Sequence, residues 1–244
     1  MAVNGRRLKN FRSHPEYTLE APGYCYDETN SRSRINMYNP EVFREENKDA
    51  ITAMIRSCPL ATLVTNSPNG LLATPLPMLF VDDEGEHGVL HGHIAKANPQ
   101  WKDSLANSEA LVIFQGANAY ITPAWYASKA ETGRVVPTWD YLAVHAYGPV
   151  EFYQDSKRLL DIVTRLTNLH ETGRPNRWSV SDAPSDYIEG QLRAIVGVRI
   201  PIQRIDAKRK LNQRQSAEDR AGVKAGLAES PLEGDRQIAK LIPL

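Results

Sequence analysis

LATLVTNSPNGLLATPLPMLFV, residues 60–81, carries the clearest strand signal in the chain. Two apolar runs flank SPNG at 67–70, and turn residues between two such runs are typical of a β-hairpin. The second run contains Pro75 and Pro77, which lack the N–H group that a strand donates to its neighbour. We therefore predict a hairpin whose second strand is bulged or lies at the edge of an antiparallel sheet.

Similar signals recur on both sides of this hairpin. Further strands are predicted at 89–94, 110–116, 119–126, 139–153 and 194–206. Periodicity and capping residues predict helices at 37–58 (with Asn39 as N-cap), 98–108, 156–171, 187–194 and shortly after Ser216. Residues 128–137 read as an exposed loop. Because strands and helices do not alternate regularly, the pattern favours a mainly β, α+β fold, an antiparallel barrel with peripheral helices.

Composition limits the classes of protein to which the chain can belong. It has 244 residues, and 29 Lys+Arg residues balance 29 Asp+Glu residues. A dedicated DNA-binding domain usually has a basic excess, so we do not expect direct DNA binding. No apolar run approaches the roughly 18 residues of a membrane span, and the basic N-terminus lacks the apolar stretch of a secretory signal. We expect a cytoplasmic protein with no membrane partner.

The segment HGHIAKANPQW, residues 91–101, is the densest group of chemically active side chains. His91 and His93 are two positions apart and share one face of a strand, so a third ligand would complete a metal site. One of them could instead be the axial ligand of a haem. The alternative is a hydrogen-bonded core histidine beside a surface histidine, and this segment alone favours that alternative.

Aromatic residues dominate two further segments, 114–126 and 135–148. In the first, small residues around Gly116 leave space beside the aromatic side chains Tyr120, Trp125 and Tyr126. In the second, one strand face carries Trp139, Tyr141, His145 and Tyr147. Flat walls with gaps between them suit a planar ring system such as an isoalloxazine or a porphyrin. Core packing or an aromatic subunit interface would also explain these side chains.

These segments, together with the stretches MYNPEVF, LATLVT and YIEGQLRAIVGVRIPI, resemble the PaiB family, whose members are called FMN-binding negative transcriptional regulators. The resemblance covers residues 37–215 in the same order and spacing. It leaves an N-terminal extension, residues 1–36, and a C-terminal tail, residues 216–244, for which we expect a short helix. Membership implies a split β-barrel of the FMN-binding type, a homodimer, and a cofactor near the subunit boundary.

The patterns GHxxxANPxW and PTWxxxxxH are also similar to those of haem-dependent piperazate synthases, which form an N–N bond. This similarity implies pocket histidines at His93 and His145, with His93 as the axial ligand if haem b binds. Lys96 would pair with a propionate or a phosphate. The remaining cofactor contacts implied for FMN or haem are the polar residues Thr74, Gln115 and Thr138 and the walls Trp101, Tyr120 and Trp139.

Two positions depart from the family pattern. Many members read ATHLP where this chain has Pro75, and many read PTWN where it has Asp140. The first change removes a pocket histidine, and the second replaces an amide with an acid, adding a charge and removing two donors. Three functions remain open: a flavin-binding regulator, a haem enzyme that acts on a nitrogen-containing or peroxide-like substrate or degrades haem, and a scaffold without a cofactor.

Overall fold

The computed structural model describes residues 37–105 and 108–244, which fold into two antiparallel sheets. The five-stranded sheet has the order β2-β1-β5-β6-β9, formed by β1 (Leu60–Ser67), β2 (Gly70–Pro77), β5 (Glu109–Ile121), β6 (Thr138–Pro149) and β9 (Arg204–Lys210). The four-stranded sheet has the order β3-β4-β8-β7, formed by β3 (Leu79–Val81), β4 (Val89–Ala95), β7 (Glu151–Tyr153) and β8 (Ile195–Pro201).

Helices lie at the periphery of the sheets. They are α1 (Lys48–Ser57), α2 (Gln100–Asp103), α3 (Ser128–Thr132), α4 (Ser156–Glu171), α5 (Ser185–Arg193), α6 (Ala217–Ala228) and α7 (Glu233–Leu241), with short 3-10 turns at Glu41–Phe43, Pro123–Trp125 and Val180–Asp182. Among the described residues, no helix has the length and apolar character that crossing a membrane requires. The predicted antiparallel α+β architecture is confirmed.

The hairpin of residues 60–81 forms as predicted. Strands β1 and β2 pair antiparallel from Leu60 opposite Pro77 to Ser67 opposite Gly70, and β2 is the edge strand of its sheet. The edge position accommodates the two prolines, because one side of β2 has no neighbouring strand to which backbone N–H groups would donate. Alternate residues of the hairpin point into a core between the two sheets, which includes Leu63, Val112, Val144, Leu90 and Val198.

Three local predictions were wrong. The first helix begins at Lys48, where Asn47 accepts a hydrogen bond from the backbone N–H of Ala50 at 2.9 Å, whereas the Asn39 amide donates to the Ala207 carbonyl. The strands predicted at 110–116 and 119–126 form one strand, β5, with a bulge after Gln115. The loop predicted at 128–137 contains α3, whose C-cap residue Gly133 is in the left-handed conformation.

The strand predicted at 194–206 is instead two strands that belong to different sheets. β8 ends at Pro201, and β9 begins at Arg204 after the Gln203 N–H donates to the Tyr147 carbonyl at 2.8 Å. The chain crosses between the sheets directly over Gly148, where a Cβ would overlap the Pro201 carbonyl. Proline removes a donor at this point, and glycine leaves room for the crossing backbone.

The outer face of the four-stranded sheet is covered by α4 and α5. Leu159 of α4 and Leu192 of α5 form a second apolar cluster with Tyr153. The Tyr153 ring lies on Gly197, where any Cβ would overlap it. Residues of β4 and β8 that alternate with the core positions therefore face these helices and not the space between the sheets.

The C-terminal tail contributes to the main core. Its first helix, α6, starts where the Ser216 hydroxyl accepts from the Asp219 N–H at 3.1 Å, and a second helix, α7, follows, although only one short helix was predicted. Buried tail residues join the core between the sheets, among them Val223, Leu227, Ile238 and Ile242. Residues 1–36, predicted as an extension, lie outside the described residues.

The contact between α6 and Trp125 yields a stability prediction. A Cβ at Gly226 would overlap the Trp125 indole. We expect Gly226→Ala to lower the free energy of unfolding by about 1–3 kcal/mol, because overpacking a rigid contact outweighs the gain in helix propensity. Chemical denaturation of the full chain measures this change.

Gly190→Ala in α5 is the matched control. Its Cβ would meet only the flexible end of Arg193, at 3.8 Å, so we expect this substitution to stabilise the protein by about 0.5–1 kcal/mol. An equal stabilisation by both substitutions would contradict the proposed packing of α6.

Candidate functional site

The structure separates the predicted site residues. Thr74, Lys96 and Trp101 lie around the end of β4, and we call them, with Asn98 and Gln100, the β4-end group. Tyr120 and Trp139 pair on β5 and β6, and we call them, with Asn118, the aromatic group. The other four predicted residues lie at separate positions: Gln115 is exposed at the β5 bulge, Thr138 contacts Lys210, His93 is on β4 and His145 is on β6.

Hydrogen bonds fix the β4-end group. Thr74 Oγ1 donates to Gln100 Oε1 at 2.5 Å and accepts from Asn98 Nδ2 at 2.9 Å. The buried Gln100 donates in turn to Thr65 Oγ1 at 3.0 Å. The Thr74 hydroxyl is therefore already engaged in holding the turn after β4.

The same turn presents Lys96 to solvent. Trp101 Nε1 donates to the Lys96 carbonyl at 3.0 Å, which anchors the main chain while the Lys96 side chain stays exposed. A lysine on a rigid turn is a compact cation with three donors, suited to a phosphate or carboxylate. The β4-end group can thus bind the anionic part of a ligand.

The aromatic group is an open apolar surface. The Tyr120 and Trp139 rings are 48% and 50% exposed and meet edge to face, with their centroids 5.9 Å apart. Trp139 Nε1 donates to Asn118 Oδ1 at 3.0 Å, so the indole is held in one orientation. Both rings line a cavity of about 550 Å³ whose other wall is the connection between α6 and α7.

A buried carboxylate lies beneath Trp139. Asp140 is completely buried; its Oδ2 accepts from Asn212 Nδ2 at 2.8 Å, and its Oδ1 lies 3.7 Å from Lys210 Nζ. Lys210 Nζ also donates to Thr138 Oγ1 at 2.6 Å and to the Trp139 carbonyl. Burial raises the pKa of Asp140 to about 6, and the nearby Lys210 charge limits the increase. The Thr138 hydroxyl is therefore engaged in a hydrogen bond that positions Lys210.

The two histidines of HGH lie on the outer face of the four-stranded sheet. His91 is buried, with Nε2 2.9 Å from Glu84 Oε2, and Glu84 also pairs with Arg199 at 2.7 Å. His93 is half-buried opposite Gly197, and its Nδ1 is buried without a hydrogen-bond partner among the described residues. Desolvation lowers the pKa of both imidazoles, which favours the neutral form.

His145 belongs to the other sheet. Its Nδ1 lies 3.4 Å from the Tyr147 hydroxyl, and the Arg204 guanidinium stacks 3.5 Å from the Tyr147 ring centre. Burial lowers the pKa of His145. The structure therefore places His93 and His145 on different sheets. Within residues 37–105 and 108–244, no cluster of three or more His, Cys, Asp or Glu side chains could hold a metal ion.

Several site residues had no clear signal in the sequence. Glu229, Ser230 and Asp235 line the aromatic cavity but come from the tail, whose position depends on long-range packing. Asn212, which holds Asp140, has a positive φ of 60° in a turn after a strand that was not predicted. Its neighbour Lys210 carried only the signal of a basic cluster.

Two antiparallel sheets with peripheral helices, beside a cavity lined by aromatic residues, are typical of a split-barrel protein. The flavocytochrome Anf3 of Azotobacter vinelandii has a similar structure, with a TM-score of 0.54 at 15% identity over 79% of this chain and 80% of that one. The FAD and heme binding protein of Mycobacterium smegmatis aligns with a TM-score of 0.52 at 17% identity over 73% of this chain and 78% of that one.

Sequence comparison identifies the family. Residues 37–204 match the family model described as "Putative FMN-binding domain". The protease synthase and sporulation protein PAI 2 of Bacillus subtilis is 32% identical over 206 residues, covering 84% of this chain and 96% of the relative. An uncharacterized protein of Aspergillus fumigatus is 36% identical with the same coverage. The chain belongs to the PaiB family of FMN-binding-domain proteins.

The raised pKa of Asp140 predicts a pH-dependent stability. Because the folded protein binds this proton more tightly than the unfolded chain, whose pKa is near 3.8, the contribution of Asp140 to stability falls as pH rises from about 4 to 6. The unfolding free energy of the wild type minus that of Asp140→Asn should fall by on the order of 2 kcal/mol between pH 4 and pH 7. Denaturant titrations of both proteins across this range measure the difference.

The control is the exposed Asp182. Hydrogen bonds from Ser179 lower its pKa, so the difference between wild type and Asp182→Asn should change with pH in the opposite direction. A pH-independent difference between wild type and Asp140→Asn would show that Asp140 is not destabilised by burial.

Proposed function

We propose that the protein is a homodimeric flavin-binding protein that holds FMN between the aromatic group of one subunit and the β4-end group of the other. The observation that carries this proposal is the pair of half-exposed rings, Tyr120 and Trp139, fixed beside a cavity of about 550 Å³. Cavities of this size hold ligands with fused rings. Neighbouring exposed aromatic side chains on a concave surface are typical of ligand or partner sites.

The two halves of this site carry opposite charges. The aromatic cavity contains the carboxylates Glu229 and Asp235, which repel a phosphate, whereas the β4-end group offers Lys96. Among the described residues, no hydrogen bond, ion pair or ring contact joins the two groups. A second subunit would supply the missing half, which supports a site shared across a dimer interface.

Bound flavin would supply hydride or electron transfer. The chain's own residues would bind and orient it. Trp139, held by Asn118, would fix the plane of the isoalloxazine ring, and Lys96 would neutralise the phosphate of FMN. Lys210 and Asp140, below Trp139, would keep the strand carrying that ring in place.

A regulatory role is the second part of the proposal. The Bacillus relative is named a protease synthase and sporulation protein. Zero net charge does not favour the phosphate contacts on which DNA affinity depends, so we propose that any regulation acts through the bound ligand and not through direct DNA reading. A gel-shift experiment at low salt should show no complex with duplex DNA, and a stable complex would contradict this mode of action.

A haem enzyme with His93 as axial ligand is the second candidate. The observation in its favour is a neutral imidazole with one unpartnered nitrogen, and two solved proteins of similar fold are described as a flavocytochrome and as an FAD and heme binding protein. However, the His93 side chain lies on the face of its sheet that packs against α4 and α5, and not beside the aromatic group. The residues therefore fit flavin better than haem.

The absorption spectrum of the purified protein tests the choice of cofactor. We expect the two flavin bands in the near ultraviolet and the blue, and a mass of two subunits by light scattering. A Soret band that disappears in a folded His93→Ala variant would overturn the flavin proposal in favour of haem. Absence of both chromophores after reconstitution with FMN and with haem would overturn both.

Two variants test the proposed contacts. Trp139→Ala should weaken FMN and riboflavin alike, by about fivefold to tenfold, because the ring loses its stacking partner. Lys96→Ala should weaken FMN but not riboflavin, which lacks the phosphate. Fluorescence titration measures both, with Trp178→Ala and Lys157→Ala as controls, because neither residue belongs to either half-site. Equal loss of FMN and riboflavin in Lys96→Ala would contradict the phosphate assignment.

A further inference from the structure

The aromatic cavity has an unusual combination of side chains. It is lined by the aromatic residues Tyr120, Trp125 and Trp139 and by the acids Glu229 and Asp235, together with small and polar groups. Within the described part of the chain, no Lys, Arg or His side chain lines this cavity. The two lining acids therefore have no lining cation to balance them, and three of the walls are π-faces.

Glu229 is placed where the fold itself does not favour a negative charge. It is the C-cap residue of α6, next to the carbonyl groups that give a helix C-terminus its partial negative charge. It is exposed and makes no ion pair among the described residues. A cation bound in the cavity would relieve this repulsion between the carboxylate and the helix end.

Asp235 has a different environment. It lies in the first turn of α7, where an acid is favourable, and its Oδ2 accepts from Ser230 Oγ at 2.6 Å. This bond fixes the carboxylate near the connection between α6 and α7. The cavity thus has one fixed carboxylate and one without a partner, both on the wall opposite the rings.

We propose that this cavity binds an organic cation, an alkylated or primary ammonium group or a cationic nitrogen heterocycle, as the substrate of the flavin site. Aromatic faces attract such a cation through their quadrupoles, and the carboxylates of Glu229 and Asp235 on the facing wall add a Coulomb attraction. That the cation is a substrate rests on the proposed function, because the flavin ring would share the cavity. Binding of the cation itself requires only the residues that line the cavity.

A matched pair of probes tests the inference. Choline and 3,3-dimethyl-1-butanol have the same shape, but only choline is charged. In calorimetric titrations of the full-length protein, choline should bind at least about fivefold more tightly than the neutral alcohol. Equal binding of the two probes, or no binding of choline, would overturn the inference.

Variants then identify the residues responsible. Glu229→Gln should weaken choline binding by about fivefold, because the substitution keeps the shape and removes the charge. Glu233→Gln is the control, because Glu233 lies in the same connection but pairs with Arg236 and does not line the cavity. Unchanged choline binding in Glu229→Gln would contradict the role of this acid.

Flavin occupancy, measured by absorbance on the same samples, separates this inference from the proposed function. We expect Glu233→Gln, which lies outside the cavity, to keep both its flavin and its affinity for choline. A protein that binds choline but never flavin would refute the proposed function and keep the cation site. A protein that binds flavin but does not distinguish choline from its neutral isostere would refute the cation site alone.

Discussion

The close passage of the chain over Gly148 determines how the two sheets are joined. Because only hydrogen occupies that position, the backbone at Pro201 can pass directly over β6 and enter the other sheet as β9. The pairing of β9 with β6 then brings Lys210 and Asn212 to Asp140. The strand that carries Trp139 is therefore supported from below by a polar cluster that depends on this one crossing.

The first hairpin and α4 were predictable from the sequence, whereas the features that depend on long-range packing were not. Turn residues at 67–70 and a continuous apolar stripe specified the first hairpin and α4, which have short-range causes. β9 was not recognised as a separate strand because its four basic residues give no apolar alternation, and its formation depends on pairing with β6. The position of α7 likewise depends on the core it completes.

The candidate site shows the same contrast. Sequence patterns identified the aromatic rings and the ANPQW turn, since these residue types are informative in themselves. They could not show that Thr74 and Thr138 are already engaged by Gln100 and Lys210, or that His93 and His145 lie on different sheets. Hydrogen-bond partners and sheet faces are properties of the folded chain, so a residue's type alone does not decide its role.

The tail has a consequence for the charge of the aromatic cavity. The family model that the chain matches ends at residue 204, whereas one wall of the aromatic cavity comes from residues 226–235. The shared domain therefore supplies the rings, and a segment outside it supplies the charges that face them. In this chain, substitutions among residues 226–235 would therefore change the charge of the cavity without altering the strands that carry its rings.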